Sequence, residues 1–242
     1  MSLQMLRLFH LADSAFPIGA TAHSFGLETL AAEGSLTPQG LQNFLHDLLW
    51  ETGKVEAIFG RLAYRCGTAA ANDEALAHWL TLNTYVAALK PARESREASA
   101  TLGRRFLQTV NQIEENPCLR EAQVMARQAA VEIHYCTAFG LVGGALALGE
   151  EPTILAYLQQ SLMGLVSACL RLLAIGQGRA SEILWAVKSQ VVEVAATSLL
   201  LTASLPVERD QRQWLQQLTM FTPLLDVASM RHPTLSTRLF IS

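Results

Sequence analysis

Apolar residues recur at intervals of three and four along most of the 242-residue chain, which is the spacing of one buried helical face. The first long run covers residues 38–66. Thr37 and Pro38 form its start signal, because a threonine hydroxyl caps free amides and proline fits a first turn. Further helices are predicted over residues 73–89, 93–115, 134–148, 152–173 and 183–205, with shorter ones after residue 117 and around residues 214–218. No strand-like alternation of useful length appears.

The fold class predicted from this pattern is all-α, a single-domain helical bundle of about eight to ten helices with a flexible C-terminal arm. Residues 1–230 form the helical domain in this prediction. Residues 231–242 form the arm, because the apolar end Leu239, Phe240 and Ile241 needs a surface to pack on. We expect partner binding to order the arm.

Glycines in two predicted helices indicate close packing. Gly53 and Gly60 lie on one side of the first long helix, and Gly140 and Gly144 lie one turn apart in the helix that follows His134. A missing side chain lets another backbone approach, so we expect tight helix contacts there, inside the fold or between protomers.

The charge balance disfavours nucleic acid as a partner. Eighteen Lys and Arg against 21 Asp and Glu give a net charge of −3, which supplies no broad positive field for phosphates. Half of the residues are apolar and only 16% are charged. Such a chain has more apolar surface than charge to cover it, which favours protein partners.

Cysteine usage and the apolar segments indicate a cytoplasmic protein without a membrane span. The four cysteines are far apart and form no CxxC pair, as is typical of buried thiols in a reducing compartment. The apolar stretches 161–176 and 191–205 are shorter than the roughly 18 residues of a span, and they carry Arg171 and Glu193. The N-terminus lacks the apolar region of a secretory signal.

The sequence contains no recognisable catalytic or metal motif. Gly53-Lys54 is followed by Val55, so no phosphate-binding loop exists there. The zinc-binding HExxH motif and the GxSxG motif of a serine nucleophile are both absent. The six histidines lie far apart in the sequence. We therefore predict a protein that is not an enzyme, with no catalytic, cofactor-binding or metal-ligating residues and no tightly bound cofactor.

One alternative remains open from the residues alone. It is an all-helical enzyme whose site is assembled from separate helices, with Glu28, Glu132 and His134 as acid or base groups.

Three polar, glycine-containing blocks stand out among these helices, at residues 13–28, at 93–105 and in the C-terminal tail. In the first, Pro17 restricts Phe16 to extended conformations and Gly19 can adopt a positive φ. A fixed loop that displays Phe16 and His23 would suit a partner. The alternative is an ordinary turn with Phe16 tucked into the core.

At these blocks the sequence resembles the urease accessory protein F (UreF) family. The residues that carry the resemblance are Phe16-Pro17-Ile18-Gly19 with His23-Ser24-Phe25-Gly26-Leu27-Glu28, then Arg96-Glu97-Ala98-Ser99 with Gly103, and Pro223-Leu224-Leu225-Asp226-Val227-Ala228-Ser229-Met230-Arg231-His232 with Arg238-Leu239-Phe240. Weaker similarity lies at His134 with Phe139-Gly140, and at residues 171–177, where the family tends to show an arginine similar to Arg171 and a Gly-Gln pair. The order and spacing of the blocks cover nearly the whole chain.

The resemblance implies a non-catalytic, usually dimeric chaperone of urease metallocentre assembly. In that scheme the protein bridges the nickel-carrying accessory GTPase (UreG-like) to the UreD/UreH-like accessory protein and apo-urease, and modulates GTP-dependent nickel insertion. Nickel is then handled by the complex. The alternative that the resemblance leaves open is a nickel carrier in its own right that uses histidine and cysteine side chains. Neither nucleic acid nor membrane is among the implied partners.

The blocks also imply candidate partner-binding residues. These are Phe16, Pro17, Gly19, His23, Ser24, Glu28, Arg96, Glu97, Ser99, Gln177, Arg231, His232, Arg238, Leu239 and Phe240. The sequence departs from the family pattern at Thr21, where an aromatic residue is common, at Pro233, where an acidic one is common, and at Ile241, where arginine is frequent. We expect these departures to change partner affinity and not the fold.

Overall fold

The computed structural model describes residues 2–69, 72–203, 215 and 218–242, and this part of the chain forms helices and no β-strand. The α-helices are α1 Ser2–Leu11, α2 Leu27–Ala32, α3 Leu41–Leu48, α4 Lys54–Thr68, α5 Asp73–Ala88, α6 Arg93–Ile113, α7 Pro117–Gln128, α8 Tyr135–Ala145, α9 Glu150–Leu172, α10 Gln177–Ala186, α11 Lys188–Ala203 and α12 Pro223–Arg231. Short 3-10 helices occur at Ala20–Ala22 and His232–Thr234. The predicted all-α class is confirmed. The helix predicted around residues 214–218 falls mostly outside the described residues.

The helix predicted over residues 38–66 is confirmed as one rod that begins at Leu41. α3 passes into α4 through a π-helical turn at Leu49–Gly53. The Thr37 hydroxyl accepts a hydrogen bond from the Gly40 N–H at 3.2 Å, so the start signal caps the turn before the helix. The helix predicted over residues 183–205 instead begins earlier and is interrupted at Val187, between α10 and α11.

α4 and α8 cross at the centre of the bundle, and glycines permit that crossing. A side-chain carbon at Gly140 would collide with the carbonyl oxygen of Gly60, and one at Gly144 would collide with that of Tyr64. α8 is buried along almost its whole length. The close packing expected at Gly60, Gly140 and Gly144 is confirmed, and it lies inside the fold.

A fully buried arginine on α4 joins α9 and α11 to the centre. Arg61 donates to the Ser198 hydroxyl and to the Ala195 carbonyl oxygen, each at 2.8 Å. Its guanidinium also pairs with Glu150 at 3.0 Å and with Glu151. Because a buried charge is costly unless it is fully paired, this network fixes the three helices relative to one another.

Two helical segments, Glu150–Leu172 and Gln177–Ala203, are long and apolar enough to cross a membrane by length and composition. Residues 161–172 of the first predicted stretch and 191–203 of the second lie in these longer helices. Half of the most apolar window of the first segment and a third of the second are buried inside the bundle. Because a mostly buried core helix satisfies the same criterion, the finding is weak evidence for a span.

Candidate partner-binding site

The C-terminal part of the chain lies against α2 and α6. α12 packs on both helices, and the hydroxyls of Ser229 and Ser95 form a hydrogen bond of 2.7 Å. The segment of residues 231–242, called the tail below, then runs back toward the loop before α2. There the Ile241 N–H donates to the Ala22 carbonyl oxygen at 2.9 Å.

Glycine at position 26 allows this close approach. Gly26 has φ +89°, a left-handed conformation that side chains disfavour. A side-chain carbon at this position would also lie 2.9 Å from the Leu225 carbonyl oxygen and 3.1 Å from the Ser229 nitrogen. Both the backbone conformation and the contact with α12 therefore favour glycine.

His232, at the start of the tail, is fully buried between two carboxylates. Its Nε2 lies 2.9 Å from Glu28 Oε2, and its Nδ1 lies 2.8 Å from Glu94 Oε2. The tail is thus attached to α2 and α6 through one buried imidazole that contacts a carboxylate from each helix.

Glu28 also holds the far end of the tail. Its carboxylate accepts hydrogen bonds from the backbone N–H groups of Leu239 at 2.6 Å and Phe240 at 3.1 Å. Burial raises the pKa of Glu28, but these bonds together with the one from His232 outweigh it and hold the pKa below its usual value. The ionised carboxylate is therefore the form that the docked tail requires.

Arg171, near the end of α9, clamps the last residues of the tail. Its guanidinium lies 4.3 Å from the centre of the Phe240 ring, and it donates to the Leu239 carbonyl oxygen at 3.2 Å. The Phe240 side chain is buried. Phe240 thus anchors the tail to the body of this same chain.

Residues of the first and third sequence blocks meet at this docking site. His23 Nδ1 lies 2.7 Å from the Ser242 hydroxyl, and the Ser24 N–H donates to the Ser242 carbonyl oxygen. Burial, and to a lesser extent the charge of Arg105, lower the pKa of His23. The predicted residues that the structure brings together are His23, Ser24, Glu28, Arg231, His232, Leu239 and Phe240.

The loop at residues 13–28 does not display the two rings expected of it. Phe16 is buried against His10 and Phe106, with ring centres 5.5 Å apart in each pair, and His23 is also buried. The alternative of a turn with Phe16 in the core is therefore the correct one. Gly19 adopts φ +79° as expected, and Pro17 is exposed.

Two predicted residues of the middle block, Arg96 and Ser99, make contacts inside the protein. Arg96 donates to the Lys90 carbonyl oxygen at 2.9 Å, and Ser99 is buried with its hydroxyl 3.2 Å from His134 Nδ1. Glu97 is exposed and pairs with Arg93, one turn away on the same helix. Gln177 is exposed at the start of α10 and Arg238 is exposed in the tail. The partner-binding roles of these residues remain predictions.

Two residues of the docking site are absent from the predicted set. Arg171 carried a weak family similarity but was not chosen as a partner-binding residue, although an isolated charge in an apolar helix is a further signal for it. Glu94 gives no comparable signal, because a glutamate in a charged first turn is typical of a solvated helix start. Only the fold shows that it faces His232.

Residues 221–241, which include α12 and most of the tail, present an apolar outer face. Its exposed side chains, called the tail surface below, are Phe221, Leu224, Val227, Met230, Leu239 and Ile241. Arg231 borders this surface and pairs with Glu33 of α2 at 3.2 Å. Several large apolar side chains exposed along one helix and the segment after it are typical of a protein-binding surface.

A cavity of about 130 Å³ lies under α12. The ammonium group of Lys90 lies 2.7 Å from Glu56 Oε1, and the Tyr157 hydroxyl donates to Glu56 Oε2 at 2.8 Å. Burial lowers the pKa of Lys90, but the charge and hydrogen bond of Glu56 outweigh it and raise the pKa above its usual value. Asp226 of α12 also lines the cavity.

The three residues considered as acid or base groups, Glu28, Glu132 and His134, have different surroundings. Glu28 is engaged by the tail, and Glu132 is exposed. His134 is buried beside Ser99, and burial, with the nearby charges of Lys90 and Arg96, lowers its pKa to about 3. Among the described residues, no group of three or more His, Cys, Asp or Glu side chains is placed to hold a metal ion.

Comparison with known proteins gives a consistent match. A family described as UreF matches residues 36–188. Proteins named urease accessory protein UreF are similar over nearly the whole chain. The one from Xanthobacter autotrophicus is 33% identical, covering 99% of this chain and 92% of its own length. Those from Methylorubrum populi and Actinobacillus pleuropneumoniae serotype 3 are 31% and 30% identical, each covering 99% of this chain and at least 99% of their own.

Proposed function

This chain belongs to the UreF family of urease accessory proteins, and we propose that it is a non-catalytic bridging factor in urease maturation. In this proposal it joins the nickel-carrying accessory GTPase to the UreD/UreH-like accessory protein and apo-urease, and it modulates GTP-dependent nickel insertion. Nickel is the cargo of the complex, and this chain holds no cofactor tightly. We place the assembly in the cytoplasm and propose that the chain acts as a homodimer.

The tail surface is the observation that supports this proposal most directly. Its apolar side chains are exposed although the segment that bears them is docked by buried ionic contacts. Interfaces place such apolar anchors at their centre and polar groups at the rim. Arg231 and Arg238 provide rim donors that suit carboxylates of a partner. We assign this surface to the UreD/UreH-like protein.

In this proposal the helical domain and the arm have different roles. Residues 1–230 supply the docking groove and four side chains of the tail surface, and residues 231–242 supply the other two, Leu239 and Ile241. Glu28 and Glu94 hold the arm against the body. Partner binding then completes the order of the exposed residues of the arm.

The test is co-purification with the UreD/UreH-like protein. Leu239→Asp places a charge on the tail surface while the backbone N–H that Glu28 accepts remains. We expect at least a tenfold loss of recovered complex, because a charge buried in an apolar interface costs several kcal/mol without a partner. Deleting residues 231–242 should have the same effect and leave the helical circular dichroism spectrum largely intact.

Ile113→Asp is the matched control. Ile113 is 57% exposed and Leu239 is 54% exposed, but Ile113 lies at the far end of α6, about 30 Å along the helix from Glu94. The control should retain the complex. Normal complex formation by Leu239→Asp and by the truncation would refute the assignment of the tail surface, and stoichiometric nickel retention by the isolated chain in equilibrium dialysis would favour a carrier instead.

A further inference from the structure

The cavity under α12 has a mostly apolar wall and one charged side. Leu27, Leu102 and Tyr135 line its buried part. The charged side consists of the Lys90–Glu56 ion pair, at 2.7 Å, and of Asp226 on α12. Small-molecule sites have this composition, because an apolar wall supplies most of the binding energy and a few polar groups fix the orientation of the ligand.

Gly164, within α9, leaves open space in that wall. It lines the cavity, and no atom lies within 4 Å of the position that its side-chain carbon would take. Glycine inside a helix is less favourable than alanine, so its presence needs a reason. At Gly60 and Gly140 the reason is backbone contact. At Gly164 the missing side chain instead enlarges the cavity.

Asp226 brings a carboxylate to the cavity without a cation beside it. The Thr222 hydroxyl donates to its Oδ2 at 3.1 Å, and Asp226 forms no ion pair with the described part of the chain. Burial raises the pKa of Asp226, and the Thr222 hydrogen bond and the charge of Lys90 offset this only in part. A cation next to the carboxylate would therefore stabilise its ionised form.

The groups that face the cavity carry one net negative charge. Lys90 is cationic, whereas Glu56 and Asp226 are anionic. His23 also lines the cavity, and its ring is neutral at pH 7 because burial lowers its pKa. We propose that this cavity binds a small organic cation, a primary ammonium compound whose apolar body is about the size of a benzene ring. This inference goes beyond the proposed function and does not depend on it.

The size and polarity of the cavity suit such a ligand. Its volume of about 130 Å³ is close to the roughly 150 Å³ of an apolar cavity that takes up benzene in another protein. The partly exposed Asp226 would hold the ammonium group at the mouth, and the ring would lie against Leu102 and Tyr135 in the buried part. The charge then stays near solvent while the apolar body leaves water.

Two other occupants fit less well. A carboxylic acid would bring its charge against Asp226 and Glu56, and like charges in a poorly solvated site repel strongly. A hard metal ion such as Mg²⁺ needs oxygen ligands on several sides, whereas most of this wall is apolar. The charge of the site and the composition of its wall therefore both favour an organic cation.

Isothermal titration calorimetry of the full chain with benzylamine tests the proposal. Benzyl alcohol and benzoate serve as neutral and anionic probes of similar size. We expect saturable binding of benzylamine to one site, with a dissociation constant of about 1 mM or less. Benzyl alcohol should bind at least tenfold more weakly, because it lacks the charge that Asp226 attracts, and benzoate should not bind.

Asp226→Asn tests the charge of the site. Asparagine keeps the shape of the side chain and an oxygen that accepts from Thr222. We expect benzylamine to bind at least tenfold more weakly to this variant and benzyl alcohol to bind as before. Equal weakening of both probes would show that Asp226 only supports the fold of α12 and does not contact the ligand.

Gly164→Leu tests the location of the site. A leucine side chain there would fill the cavity, so the variant should bind neither benzylamine nor benzyl alcohol while its circular dichroism spectrum is unchanged. Gly178→Leu is the matched control. Gly178 is exposed on α10 and no atom lies within 4 Å of its side-chain position, so this variant should bind both probes normally.

No binding of benzylamine at concentrations up to about 10 mM would overturn the inference. Normal benzylamine binding by Asp226→Asn or by folded Gly164→Leu would overturn it as well. Nickel chloride that binds the wild-type chain and not Asp226→Asn, without any binding of benzylamine, would assign the cavity to a metal ion instead. All of these measurements use the isolated chain, so their failure and that of the co-purification test of the tail surface are distinguishable.

Discussion

The crossing of α4 and α8 and the docking of the tail are both close contacts, but different kinds of residues form them. The crossing relies on missing side chains, because Gly60 and Gly140 bring backbone against backbone. The tail is held by charged groups, with His232 between Glu28 and Glu94. Backbone packing cannot be undone without unfolding the bundle. Ionic docking can be broken locally, so the tail is the part suited to respond to a partner.

The largest expected effect is on the crossing. Gly140→Leu inserts a side chain where the Gly60 carbonyl oxygen already lies, so the helices must separate. We expect a loss of several kcal/mol in the free energy of unfolding, measured by urea denaturation, or no folded protein at all.

Gly164→Ala is the control for that substitution. Gly164 lies within α9, and no atom lies within 4 Å of the position that its side-chain carbon would take. Alanine there should stabilise the chain by about 0.5–1 kcal/mol through helix propensity. Equal destabilisation by the two variants would show that helix propensity, and not backbone contact, controls both positions.

The second effect is local. His232→Ala leaves Glu28 and Glu94 without their shared partner, and breaking a buried ion pair costs about 3–5 kcal/mol. We expect the amides of residues 239–242 to lose hydrogen-exchange protection while α4 and α8 keep theirs. Arg231→Ala removes only an exposed pair and should change tail protection little. Uniform loss of protection across the chain would mean that tail and bundle are one cooperative unit.

The smallest expected effect is a difference in pH dependence between the bundle and the tail. Because the folded pKa of Glu28 is lowered, its contribution is present above the ordinary value of about 4.3 and is lost as pH falls through the folded pKa. His134 is held neutral with a pKa of about 3, so its contribution is lost earlier, as pH falls from about 6.5 toward 3. The lowered pKa of His23, which contacts Ser242, has the same sign as that of His134. Acidification should therefore weaken the bundle at His134 and the tail at His23 before it weakens the hydrogen bonds that Glu28 accepts from the Leu239 and Phe240 amides. Hydrogen exchange between pH 7 and pH 3 measures all three, and loss of protection at the Leu239 and Phe240 amides first would contradict this order.

Most of the fold could be predicted from periodicity, because the buried faces repeat at helical spacing. The glycine contacts at Gly60 and Gly140 could also be predicted, since the spacing alone indicates a close approach. The interruption at Val187 could not, because no glycine or proline marks it.

The docking site could be predicted only in part. The blocks identify Glu28, His232 and Phe240 as special residues, but not that they contact one another, because their separation in sequence hides that contact. The inward orientation of Phe16 and His23 was likewise decided by tertiary packing. Sequence alone therefore located the site but did not establish which of its residues face outward.

The π-helical turn at Leu49–Gly53 sets the rotation of everything that follows it on the same rod. Each residue of an α-helix advances the chain by about 100° around the axis. A π-helical turn accommodates one residue more than regular α-helix in about the same rotation, so deleting one residue from it would restore α-geometry and leave α4 in phase with α3. Deleting one residue from the regular part of α4 before Gly60 would instead rotate the rest of the helix by about 100° relative to α3, and Gly60 and Arg61 could not both keep their contacts with α8, α9 and α11. Single-residue deletions should therefore be better tolerated in the π-helical turn than in the α-helix that follows it.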